Sequence, residues 1–149
     1  MKVAVFPGSF DPFTKGHESV VKTALKFFDE VVIAIGVNTK KTPFFSLELR
    51  KKHIQSLFNE RVQVIDYQGL TVDFCMKFDS PVIIRGLRDN KDFEFEKSIA
   101  FMNRDLSGME TIFLLTDIQY SHLNSSIIRE VYANGGDISS FVTNVEILV

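Results

Sequence analysis

Basic, hydroxyl-bearing and small residues recur in this chain directly after short apolar runs. Val3-Ala4-Val5-Phe6 leads into Pro7-Gly8-Ser9-Phe10-Asp11-Pro12-Phe13-Thr14-Lys15-Gly16-His17, and Val31–Ile35 into a loop carrying Lys40 and Lys41. Val82-Ile83-Ile84 leads into Arg85-Gly86-Leu87-Arg88, and Thr111–Leu115 toward Tyr120-Ser121-His122-Leu123-Asn124-Ser125-Ser126. This is the composition of an anion site. Arginine offers a planar fork suited to phosphate, lysine a compact charge and serine a hydroxyl. Thr14 has the chemistry of a helix N-cap. Lys15-Gly16-His17 then opens a helix whose free N–H groups and positive dipole end attract phosphate, with His17 in the first turn facing it. Gly8 and Gly16 let the backbone approach a ligand closely. Arg85, placed at the end of an apolar run, points into the same crevice.

Other candidates take humbler readings. Asp92-Phe93-Glu94-Phe95-Glu96 reads either as a metal cluster or, the preferred reading, as the start of a helix, where acids complement the dipole and Glu96 is within reach of a ligand. Ser125 and Ser126 open another helix, their hydroxyls and N–H groups suited to a triphosphate. The loop at Gly8 has neither the Gly-x-Gly-x-x-Gly of a dinucleotide fold nor the Gly-Lys-Ser/Thr end of a P-loop, which disfavours both chemistries. His17, His53 and His122 have no zinc-ligand spacing, and His53, mid-helix among polar residues, is expected on the surface. The lone Cys75 sits in an apolar stretch and reads as a buried structural thiol in a reducing compartment.

The elements must bring these segments together. Five strands are expected at Val3–Phe6, Val31–Ile35, Arg61–Ile65, Val82–Ile84 and Thr111–Leu115. Four are nearly continuous in apolar residues, as strands buried on both faces are, while Arg61–Ile65 alternates as an edge does. Helical stripes lie between: Val20, Val21, Ala24, Leu25 and Phe28; then Leu47, Ile54, Leu57 and Phe58 behind the N-cap Ser46. A short helix over Thr71–Phe78 follows, then Phe95, Ile99, Met102 and Leu106, then Ile127, Ile128, Val131 and Tyr132 up to a stop at Asn134-Gly135-Gly136. The alternation predicts a single α/β domain over residues 1–149, a Rossmann-like, doubly wound five-stranded parallel sheet with helices on both faces. Ligands of such sheets bind beyond the carboxyl ends of the strands, where every candidate segment falls. The formal net charge of −2 gives no basic footprint for nucleic acid. No apolar run reaches membrane-spanning length or has signal-peptide form, so a cytoplasmic enzyme is expected.

Thr14-Lys15-Gly16-His17 resembles the Thr/His-x-Gly-His signature of the nucleotidyltransferase superfamily. Together with Phe6–Pro12, Lys41 and Pro43, Ile84–Arg88, Asp92–Glu96 and Ser125-Ser126, the chain resembles the bacterial phosphopantetheine adenylyltransferase family from residue 2 to about residue 141. The resemblance implies adenylyl transfer from ATP to 4′-phosphopantetheine, giving dephospho-coenzyme A and pyrophosphate, by direct in-line attack. It places Ser9, Lys41, Thr71 and Arg85 on phosphopantetheine. It places Ser9, Phe10, His17, Gly86, Leu87, Arg88, Glu96 and Tyr120 to Ser126 on ATP. It makes His17 the transition-state stabiliser, with Lys41 and Arg85 beside it. It implies Mg²⁺ carried by ATP rather than by protein side chains, a homohexamer, and inhibition by coenzyme A. Ser9 stands where threonine is common, Asn124 where serine is, and His122 where an aromatic is; Val142-Thr143-Asn144-Val145 lacks a proline common there. Two alternatives stay open. One is a relative that uses nicotinamide mononucleotide or glycerol phosphate as acceptor; the other is a non-catalytic nucleotide-binding module.

Overall fold

The computed structural model describes residues 1–149. Five parallel strands, β1 (Val3–Gly8), β2 (Glu30–Gly36), β3 (Val62–Tyr67), β4 (Val82–Leu87) and β5 (Thr111–Leu115), form one sheet in the order β3-β2-β1-β4-β5. The helices between them are α1 (Lys15–Ala24), α2 (Leu47–Gln55), α3 (Thr71–Cys75) and α4 (Asn90–Ser107), and α5 (Ser125–Ala133) follows β5. Side chains alternate faces along a strand, and here both faces are dry. Ala4, Phe6, Val31, Ile33 and Ile35 pack with Val20, Val21 and Ala24 of α1 and Ile54 of α2. Val3, Val5, Val32 and Ala34 pack on the opposite face with Val72, Phe74 and Cys75 of α3 and with Met109. That double burial is why β1 and β2 read as unbroken apolar runs. A third cluster, Phe45, Leu123, Ile128, Ile138, Val142 and Leu148, seats α5 and the C-terminal segment. No helix is long and apolar enough to cross a membrane.

The winding reverses between β1 and β4, and pairing explains what happens there. β1 pairs with β2 through six successive residues, Val3↔Glu30 to Gly8↔Ile35. With β4 it pairs only at Ala4↔Val82 and Val5↔Ile83. Beyond those two residues the strands diverge, and their carboxyl ends open a crevice at the switch point.

Four local expectations change. β5 is an edge strand whose Ile112 and Leu115 are 41% and 80% exposed, because nothing pairs with its outer side. α3 spans Thr71–Cys75 rather than Thr71–Phe78. In α4, Phe95, Met102 and Leu106 are 67%, 60% and 59% exposed, and Glu96 is the helix's one buried residue. His53 is 0% exposed, not a surface residue. The C-terminal segment folds over α2, and the Thr143 carbonyl meets His53 Nε2 at 2.6 Å. β3 does lie at the other edge, and Cys75 is buried, which pushes its thiol up to about 11.

The central strands carry the fold's stability. Ile33→Ala, at a fully buried position, is expected to lower the unfolding free energy by about 2–5 kcal/mol. Urea denaturation checks this; a loss below about 0.5 kcal/mol would contradict the packing described.

Candidate active site at the strand switch point

A cleft of about 390 Å³ occupies the crevice. Pro7 to Phe10 line it from β1, Arg85, Gly86 and Arg88 from β4, Thr14, Gly16 and His17 from α1, and Leu123 to Ser126 from α5. A second cleft of about 200 Å³ runs along Tyr67, Thr71, Ile99 and Asn103 and shares Pro7, Gly8, Arg85 and Glu96 with the first.

α1 opens with a reciprocal cap. The Thr14 hydroxyl accepts the His17 backbone N–H at 3.3 Å, and His17 Nδ1 accepts the Thr14 backbone N–H at 3.0 Å. Nδ1 is therefore the bare nitrogen, and the imidazole proton resides on Nε2. The ring stands against Phe10 and Phe13, centroids 5.1 and 5.3 Å away. Burial, reinforced by the charges of Arg85 and Arg88, pushes the His17 pKa down to about 3. At neutral pH His17 is thus an uncharged, oriented Nε2–H donor rather than an acid.

Arg85 on β4 and Arg88 just beyond it are each gripped by an acid on α4. Arg85 Nε and Nη2 donate to the Glu96 carboxylate at 2.8 and 2.7 Å, and its Nη1 donates to the Pro7 carbonyl. That carbonyl lies where the β1–β4 ladder has ended, so the guanidinium replaces a missing sheet hydrogen bond. Arg88 Nε and Nη2 donate to Asp92 at 2.9 and 3.1 Å, and its Nη1 donates to the Leu123 carbonyl at 2.7 Å. Asp92 and Glu96 are one helical turn apart, so one face of α4 serves both. A guanidinium has five N–H groups, so each arginine keeps two for a ligand.

α5 is prepared differently from the expectation. Its N-cap is Asn124, whose Oδ1 accepts the N–H groups of Ser126 and Ile127 at 2.8 and 3.2 Å. Ser125 Oγ donates to the Pro12 carbonyl at 2.9 Å. Much of the donor set read as triphosphate-binding is therefore engaged within the chain. Arg129, which the sequence reading missed, lines the cleft, donating to the Asp11 carbonyl at 2.7 Å and to Ser126 Oγ at 3.0 Å. Its signal was the four-residue step from Ser125, which sets both on one helix face.

The remaining expected residues divide. Ser9, Phe10, Gly86, Arg88, Glu96, Leu123, Asn124, Ser125 and Ser126 line the cleft with His17 and Arg85. Thr71 lines the second cleft, its hydroxyl 2.8 Å from that of Tyr67. Leu87, Ser121 and His122 line neither, and Ser121 Oγ donates to the Ile118 carbonyl. Tyr120 lines a groove on the outer side of α1. Lys41 is exposed on the β2–α2 loop and lies outside both linings. The glycines serve the chain more than a ligand. A Cβ on Gly8 would lie 2.8 Å from the Phe10 ring, and one on Gly16 3.3 Å from Thr14 Oγ1.

Comparison with known proteins bears on this arrangement. The chain matches the cytidylyltransferase-like family over residues 5–131. It is 54% identical to the phosphopantetheine adenylyltransferase of Flavobacterium psychrophilum over 144 residues, 95% of each chain. It is 46% identical to that of Bacteroides thetaiotaomicron over the same share. The chain belongs to the phosphopantetheine adenylyltransferase family. Among solved structures it resembles a candidate nicotinate-nucleotide adenylyltransferase from Vibrio parahaemolyticus, with TM-score 0.68, 21% identity and coverage of 98% of this chain and 96% of that one. It also resembles a bifunctional NMN adenylyltransferase/ADP ribose pyrophosphatase from Francisella tularensis, with TM-score 0.70 and 19% identity over 98% of this chain and 48% of that one. These likenesses speak to the fold.

For this member of the phosphopantetheine adenylyltransferase family the neutral His17 has a measurable cost in acid. Its folded-state pKa lies below the unfolded value of 6.5. Below pH 6.5 the unfolded chain therefore binds the proton first, and stability falls with pH until the folded pKa near 3. The loss is at most about 1.4 kcal/mol per pH unit for this group, and buried His53, also lowered chiefly by burial, acts in the same direction. Urea denaturation at pH 7.0 and 5.5 should show the drop, with a smaller slope in His17→Asn. Equal stability at both values would mean that folded His17 takes up its proton as readily as the unfolded chain does.

Proposed function

We propose that this chain transfers the adenylyl group of ATP to 4′-phosphopantetheine, releasing pyrophosphate and forming dephospho-coenzyme A. The observation that carries the reading is near-full-length identity of 44–54% to phosphopantetheine adenylyltransferases. The cleft supports it, with a neutral imidazole donor at a helix N-terminus facing two half-committed arginines. The neighbours named for nicotinate and nicotinamide nucleotides stand at 19–21% identity, so the alternative acceptor has weaker support.

An oxygen of the acceptor phosphate attacks the α-phosphorus; the bond from that phosphorus to the bridging oxygen breaks, and pyrophosphate leaves with the electron pair. The nucleophile is already anionic, so no general base is required. The obstacle is the approach of two polyanions, and positioning with oriented charge answers it. Helix α1 and the Nε2–H of His17 stabilise charge on the α-phosphate. Arg88, Arg129 and the Ser126 hydroxyl, which accepts from Arg129 and keeps its own proton, hold the β- and γ-phosphates. Ser9, Phe10, Gly86, Glu96, Leu123, Asn124 and Ser125 shape the nucleotide site, and Leu87 and Tyr120 to His122 adjoin it along the chain. Arg85, Ser9 and Thr71 receive the acceptor, and Lys41, exposed on the β2–α2 loop, adds its charge for the acceptor phosphate.

Asp92 and Glu96 are each committed to an arginine. Mg²⁺ would therefore arrive with ATP rather than on a side-chain cluster of this chain, and would neutralise phosphate charge. The second cleft accommodates the pantetheine arm, and coenzyme A, which carries the same arm, inhibits by occupying both. The exposed Phe95, Phe101, Met102 and Leu106 of α4 suit burial against further copies in a homohexamer. The protein acts in the cytoplasm, without nucleic-acid or membrane partners.

Pyrophosphate release from ATP across a panel of phosphorylated acceptors tests the reading. Turnover is expected with 4′-phosphopantetheine; silence with it and activity with nicotinamide mononucleotide would overturn the assignment. His17→Ala is expected to cut kcat by roughly 10²–10³, the loss typical of an oxyanion donor. Near-native turnover in that variant would remove His17 from the role.

A further inference from the structure

Arg50, on α2, is 5% exposed and does not line the cleft. Its Nη1 donates to the Ser9 carbonyl at 2.6 Å and its Nε to the Phe45 carbonyl at 3.0 Å. Asp11 works on the same two loops. Its carboxylate accepts the N–H groups of Phe44 and Phe45 at 2.7 and 2.9 Å, while its carbonyl accepts Arg129 at 2.7 Å. Burial pulls the Arg50 guanidinium down from its usual value, and the Asp11 charge opposes this. A buried guanidinium is costly unless its hydrogen bonds are met, so a purpose for this one is worth seeking.

The purpose lies in Phe10. Its φ of 48° is left-handed, a conformation that a bulky residue holds only when its surroundings over-determine it. The carbonyls on either side, of Ser9 and Asp11, are held by Arg50 and Arg129 respectively. Held so, the Phe10 ring meets His17 edge-on, 5.1 Å between centroids at 87°. Arg50 also fixes Phe45, the buried end of the exposed loop that carries Lys41.

The geometry points to Arg50 as a positioning residue that acts on the reaction through Phe10, whose backbone it locks and whose ring orients the His17 donor. This deepens the proposed adenylyl transfer and rests on it. Lysine cannot bridge two carbonyls as the fork does, so Arg50→Lys retains the charge and loses the lock.

Arg50→Lys and Arg50→Gln should lower kcat at least about tenfold, within the range that small misplacement of a catalytic group produces, with the KM for ATP changed less. NMR of the three histidines supplies the reading that a purely structural role would not move: the His17 ring signal shifts in both variants, while that of exposed His122 stays. Phe10→Leu should reproduce both effects, and combining it with Arg50→Lys should add little. If Arg50→Gln fails to fold, Arg50→Lys carries the test alone. Native kcat, an unmoved His17 signal, or full additivity with Phe10→Leu would each overturn the inference. If the native chain transfers nothing to 4′-phosphopantetheine, the functional reading fails. The His17 signal still reports whether Arg50 governs the ring.

Discussion

The site depends on one reciprocal pair of hydrogen bonds, between Thr14 and His17 at the opening of α1. A helix start leaves N–H groups without partners. Thr14 satisfies one of them with its hydroxyl, and His17 turns back to satisfy the backbone of Thr14 itself. That second bond decides the chemistry, because it consumes the lone pair of Nδ1 and leaves Nε2 as the protonated nitrogen. The cap and the donor are one structure. Any shift in the first turn of α1 would alter helix stability and imidazole orientation together.

Around that pair the protein keeps positive charge available without letting it collapse. Two free arginines facing an empty cleft would repel each other and wander. Glu96 and Asp92 each take two N–H groups of one guanidinium, a backbone carbonyl takes a third, and two stay free for a ligand. These ion pairs do not act mainly as stabilisers, since partly exposed pairs contribute little. They hold direction. They also bear on His17, whose charged form is disfavoured first by burial and then by Arg85 and Arg88. The same arginines that suit a polyanion thus keep the neighbouring imidazole neutral.

Much of the candidate site is legible in the sequence. The strand-to-helix turn, the basic residues at the end of β4 and the hydroxyls at the start of α5 all follow from composition at strand ends. Less legible were the partnerships. Glu96 and Asp92 read as acids at a helix start, and their clasp on Arg85 and Arg88 needs the distance between α4 and β4. Ser125 reads as a phosphate ligand, yet its hydroxyl is spent on the Pro12 carbonyl. Gly8 reads as a place for a ligand to come close, yet the space beside it belongs to Phe10. In each case the residue type was informative about chemistry and silent about which partner arrives first.

By itself the sequence determined the alternation of strands and helices, the parallel sheet and the edge of that sheet where ligands bind. Those depend on periodicity and local capping, which neighbours along the chain settle. Tertiary structure alone decided that β1 and β4 pair through two residues and then part, which creates the crevice. It decided that His53, in the last turn of α2, lies buried beneath the C-terminal segment. It decided that α4 turns its apolar side chains outward while burying a glutamate. Burial and pairing are set by what packs from far away in sequence, and no local window contains that information.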